Sequence, residues 1–115
     1  MNLDATAVRN LELIKNMRDG SKRGTLLDVL DFTSTSMGAR KLRNWIECPL
    51  LDLSQIRSRQ EAVGELLTNV QMRGNLQDKL KAIFDLERIV SRIEVGSANA
   101  RDLVSLRSSL AVLPE

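Results

Sequence analysis

The amino-acid sequence predicts an all-α chain, a multi-helical array of about five to seven amphipathic helices. Three observations carry that reading. Apolar residues recur three and four positions apart through most of the 115 residues, which places them on one face of a 3.6-residue helix. Short oxygen-bearing side chains stand just ahead of several of those stripes, where they can satisfy the unpaired N–H groups of a first helical turn. Alternating β-branched and aromatic runs are nearly absent, and the Asp19-Gly20 pair lies in a polar stretch with no strand to frame it. Hydrophobic residues make up 43% of the chain and charged residues 28%, too apolar a balance for intrinsic disorder. The length allows one domain or part of one, and 1–115 reads as a single partial domain.

Taken in order, short helices are expected from Asp4 to Asn10 and from Thr25 to Asp31, with Arg18 to Gly24 (RDGSKRG) as the clearest loop between them. A longer helix is expected over 36–47. Leu42, Trp45 and Ile46 form its apolar stripe, Arg40, Lys41 and Arg43 its wet side, Thr35 or Ser36 its cap, and Pro49 its stop. Asp52, with Gln55 three residues on, approximates a capping box ahead of a stripe of Leu53, Ile56, Val63, Leu66 and Leu67. Gln60 interrupts that stripe, either at its edge, the favoured reading, or buried against a backbone partner. Leu76, Leu80, Ile83 and Phe84 make the next stripe, and Leu86, Ile89, Val90 and Ile93 another; Asp85 either restarts the helix or punctuates a continuous one. Gly96 suits a left-handed C-terminal cap. Asn99 caps a last helix whose stripe is Leu103, Leu106, Leu110 and Leu113, with Asp102 at the end its charge favours.

The chemistry available is narrow. Histidine is absent, which removes the commonest general base and metal ligand. One cysteine, Cys48, excludes an intramolecular disulfide and a multi-cysteine zinc site. It stands at the negative end of a helix, which disfavours a thiolate, so it reads as an inert packing residue. The loop GSKRGT (Gly20 to Thr25) lacks the lysine and the leading strand of a phosphate loop. Asp28 with Asp31, and Glu61 with Glu65, share helix faces but read as solvating charges among Lys and Arg. No Ser-x-x-Lys signature is present. Lys plus Arg is 17 against 15 for Asp plus Glu, a net +2, which is not the footprint of a dedicated nucleic-acid binder. Arg40, Lys41 and Arg43 read as a solvated helix face, and Phe32, Phe84 and Trp45 are too few aromatics for a base-stacking platform. Charges interrupt every window that could span a bilayer, and no secretory signal opens the chain.

The order of motifs adds a resemblance. TLLDVLDFTSTSMGARKLRNWIECPLLD (Thr25 to Asp52) resembles the start of the core, or lever, domain of the MutS family of DNA mismatch-recognition ATPases. LDATAVRNLEL (Leu3 to Leu13) precedes it, and IRSRQEAVGELL (Ile56 to Leu67), DLERIVSRI (Asp85 to Ile93) and GSANARDLVSLRSSLAVLP (Gly96 to Pro114) follow in the family's order. The similarity runs from about Leu3 to Pro114. It departs at Ala100, where many relatives have Pro, a change a first helical turn tolerates, and Cys48 occupies a variable position. Mismatch-reading, clamp and Walker motifs are missing.

The resemblance implies a mechanical, non-enzymatic piece that couples mismatched-DNA binding to an ATP site, with both sites elsewhere in a parent protein. It implies ATP and magnesium for the parent alone. Its partners would be the other domains of the same chain and, through the parent, mismatched duplex DNA and a second MutS copy. The setting would be the bacterial cytoplasm, on DNA and away from membranes. No catalytic, cofactor-binding, metal or DNA-binding residue is transferred. The residues expected to matter are packing residues, Leu42, Trp45, Ile46, Leu86, Ile89 and Ile93. The apolar stripe that ends at Leu113 is expected to make the isolated chain self-associate. A free-standing helical DNA-binding protein and a helix-binding adaptor are the alternatives.

Overall fold

The computed structural model describes residues 3–113. Among them lie seven α-helices and no strand: α1 (Ala5–Asn10), α2 (Leu26–Leu30), α3 (Ser36–Glu47), α4 (Leu53–Thr68), α5 (Val70–Lys81), α6 (Leu86–Glu94) and α7 (Ala100–Leu110). The chain divides into two units, one of residues 1–33 with 38–65, the other of 34–37 with 66–115.

The first unit is organised by the turn that follows α1. The Glu12 amide donates to the Arg9 carbonyl at 3.0 Å and the Leu13 amide to the Val8 carbonyl at 3.1 Å. That pair of bonds is a Schellman closure, whose left-handed position is normally glycine. Here Glu12 takes it, at φ 47°, against the steric cost a side chain meets there. Its carboxylate accepts the Met17 amide at 2.6 Å, which ties the next turn to the strained residue. The chain then returns so that the Leu27 amide reaches the Leu13 carbonyl at 2.9 Å, and both leucines are buried. Thr25, only 1% exposed, starts α2: its hydroxyl donates to the Lys22 carbonyl at 2.6 Å and accepts the Asp28 amide at 3.1 Å.

In the second unit, Asn69 and Asp85 start α5 and α6 by accepting the Met72 and Arg88 amides at 2.9 and 3.2 Å. Asp85 therefore restarts a new helix, separated from α5 by residues 82–85. Beyond the end of α6, Gly96 (φ 74°) closes the helix, its amide bonding the Ile93 carbonyl while the Ser97 amide bonds that of Arg92. Asn99 and Asp102 then form a reciprocal capping box on α7, with bonds of 3.0 and 3.1 Å. The other Asp102 oxygen pairs with Arg92 at 3.0 Å, so one carboxylate both starts α7 and holds the last turn of α6. Ser109, with no exposed surface, accepts the Phe84 amide at 3.0 Å and donates to the Ser105 carbonyl at 2.9 Å.

The periodicity locates the helices well but not what they bury. Of the expected packing residues only Ile89 is buried, at 3% exposure; Leu42, Ile46 and Leu86 are half-buried, and Ile93 is 41% exposed. Trp45 is no core anchor: it is 39% exposed and lies under the Arg59 guanidinium, 3.7 Å from the ring centroid. On α7 the buried face is Asp102 and Ser109, while Leu103 and Leu110 are more than half exposed. At about 100° per residue those leucines are turned roughly a quarter of the way round the helix from the packed face. Periodicity reports that a helix has an apolar face; it does not report whether these 115 residues include what covers that face. Gln60 is exposed, as its edge position requires.

Replacing Ser109 with Ala strips the Phe84 amide of its acceptor in a part-buried seam. The expected loss is about 1–3 kcal/mol of unfolding free energy, read as a lower urea midpoint at unchanged m-value.

Candidate functional site

The stretch from Thr25 to Asp52 carries the most specific sequence pattern, and its polar residues serve the backbone. Asp28 accepts the Gly24 amide at 2.9 Å. Asp31, at the other end of α2, pairs with Lys22 and accepts the Thr33 hydroxyl at 2.6 Å. The two carboxylates are thus committed to opposite ends of one short helix and do not form an acid/base pair. Glu61 and Glu65 lie exposed on α4.

The GSKRGT loop has glycines with positive φ at Gly20 (70°) and Gly24 (78°). Three of its amides are nevertheless taken by side chains: Ser21 N–H by Asp19 at 2.8 Å, Arg23 N–H by the Ser21 hydroxyl at 3.3 Å, and Gly24 N–H by Asp28. Asn16 closes the loop from within, its amide donating to the Ser21 hydroxyl and the Arg23 carbonyl at 3.0 and 3.1 Å and its oxygen accepting the Asp19 amide at 2.9 Å. Nothing in the sequence pattern singled out Asn16; a lone Asn ahead of Asp-Gly was its only signal.

The basic residues of α3 do not gather into one open patch. Arg43 donates through Nε to Glu47 at 3.2 Å, Arg40 is half-buried, and Lys41 is exposed. Cys48 is half-buried with its amide on the Asn44 carbonyl at 2.8 Å, and it lines a cleft beside α1. Among the described residues no group of three or more His, Cys, Asp or Glu could hold a metal ion, and no helix is long and apolar enough to cross a membrane.

Three aspartates ionise below the ordinary carboxylate range because donors surround them. Asp19 is held down by the Ser21 amide and hydroxyl and by Asn16, Asp31 by Lys22 and then the Thr33 hydroxyl, and Asp52 by the Ser54 hydroxyl and the Gln55 and Ser54 amides. Each folded-state pKa lies below its unfolded value, so the stability it supplies is present at neutral pH and lost as pH falls through the folded value. Stability is expected to stay level from pH 7 to about 5 and to drop below about pH 4. The Asp31→Asn, Asp52→Asn double variant should be less stable than the parent sequence at pH 7, with the gap closing in acid, as followed by thermal melts across that range.

The chain is similar in sequence to known proteins over nearly its whole length. The family model described as MutS domain III matches residues 6–115. The chain is 56% identical over 114 residues to the DNA mismatch repair protein MutS of Symbiobacterium thermophilum and 54% identical over 114 residues to that of Pelotomaculum thermopropionicum, matches that cover 99% of this chain. It is 45% identical over its full 115 residues to the protein of that description from Methanothrix thermoacetophila. The chain spans about 13% of the length of each of these relatives. With the family model matched over nearly every residue and the helices in place, the chain belongs to the MutS domain III family.

Proposed function

We propose that the chain is a structural, signal-transmitting helical module of a MutS-type DNA mismatch-repair protein. It relays displacement between a mismatched-DNA site and an ATP site that both lie in other parts of the parent polypeptide. The observation that carries this reading is the surface. Much of the exposed surface is apolar, with Leu51, Leu53, Leu67, Val70, Leu103 and Leu110 each more than half exposed. Faces of this kind suit helices packed against more of one large polypeptide, and the relatives are about eight times longer than the 13% that this chain matches.

The relay also needs elements that move together. The Ser109–Phe84 bond and the Arg92–Asp102 pair join α7 to α6 and to the segment before it through directional contacts. A shift of one helix is passed on, not absorbed, where packed elements have discrete arrangements. In the full-length parent, Ser109→Ala is expected to leave heteroduplex binding without nucleotide and basal ATP hydrolysis in place while mismatch-stimulated ATP turnover falls several-fold. Undiminished stimulation with the seam loosened would refute the relay.

The exposed faces have a second consequence for the isolated chain. It is expected to self-associate, so that the apparent mass in sedimentation equilibrium rises between micromolar and millimolar protein. A monomer throughout that range would mean that the stripes of α4, α5 and α7 are tolerated in water as they stand.

A further inference from the structure

We propose that the cleft beside α1 is a binding site for an amphiphilic organic anion: an apolar body about the length of a medium alkyl chain, carrying a single carboxylate or sulfonate. The cleft has a volume of about 860 Å³, within the range of small-molecule sites. Val8, Ile14 and Met17 give it apolar lining, and Arg9 and Lys15 border the same space.

The electrostatics of the lining favour one charge sign. Neither the Arg9 nor the Lys15 side chain has a hydrogen bond or ion pair with another described residue. Glu47, the carboxylate on the lining, is engaged by Arg43 at 3.2 Å. The Asn16 amide, also on the lining, is spent on Ser21, Arg23 and Asp19. Two cations without partners among the described residues therefore border an apolar wall whose acidic and amide groups are occupied. An alkyl or aryl body gains by leaving water, and its anionic head meets the open cations; an inorganic anion would forgo the first gain, and an alkylammonium would be repelled.

Cys48 lines the cleft and is the chain's one thiol, so its alkylation by neutral iodoacetamide reports occupancy. The experiment measures the alkylation rate on the folded chain against rising octanoate, octylammonium or acetate, each rate referred to the same protein without additive. Octanoate is expected to protect Cys48 at a concentration roughly five-fold lower than octylammonium, two partly exposed charge contacts being worth about that much together, and acetate is expected to give no protection. The Arg9→Gln, Lys15→Gln double variant should lose the difference between octanoate and octylammonium while keeping its circular dichroism. Met17→Glu, at a position 63% exposed, should keep the fold and weaken octanoate protection. The proposal is overturned by absent octanoate protection, by equal protection from both amphiphiles, or by a preference that survives loss of the two cations.

Discussion

What holds these helices in place is the closure of their ends by side-chain oxygens. Among the described residues the chain buries three apolar side chains, Leu13, Leu27 and Ile89, and just as many polar ones, Thr25, Asp102 and Ser109. A core of three apolar side chains cannot by itself specify how seven helices join. Six of them begin under an oxygen that takes up an otherwise orphaned amide: Asp4, Thr25, Asp52, Asn69, Asp85 and Asn99. Each such cap contributes about 1 kcal/mol, and each also fixes the angle at which the chain enters its helix. Every buried side-chain polar atom among the described residues has a partner, without which these junctions would be destabilising.

This economy fits a piece of a larger machine better than a free-standing protein. Junctions closed by polar contacts keep their geometry without a deep core, which leaves the apolar faces free to serve as packing surfaces. The Trp45–Arg59 stack shows the same pattern on a smaller scale. The ring is held in place by a cation above it, a contact of about 0.5–1 kcal/mol at an exposed site, and it still presents over a third of its surface. Helices with outward apolar stripes suit the relay proposed above.

The sequence was legible where a local rule has few exceptions. Helices over 36–47 and from Asn99 onward followed from a stripe bounded by a capping residue or a proline, and Gly96 announced its own left-handed turn. It was opaque where the deciding contact is long-range or breaks the rule. Glu12 sits where glycine is the norm, and nothing local marks it. Ser109 looks like any helical serine until the Phe84 amide, 25 residues away, is brought to it. On α7 the exposed Leu103, Leu110 and Leu113 match the uncovered stripe that periodicity predicts, with Leu106 half-buried, whereas the burial of Asp102 and Ser109 rests on partners that no local pattern announces. The cleft beside α1 is built by backbone reversals around Glu12 and Asn16, which residue periodicity does not encode.

The Ser109 hydroxyl also sets how the seam between α7 and the Phe84 segment can yield. Turning α7 in place carries that oxygen away, and the neighbouring Ser108 lies about 100° round the helix, out of reach. The next hydroxyl on the same face is Ser105, one turn back and about 6 Å along the axis, and its own carbonyl already receives the Ser109 proton. Sliding this helix past Phe84 by less than a turn would therefore cost that bond with no hydroxyl of the same face at hand to replace it.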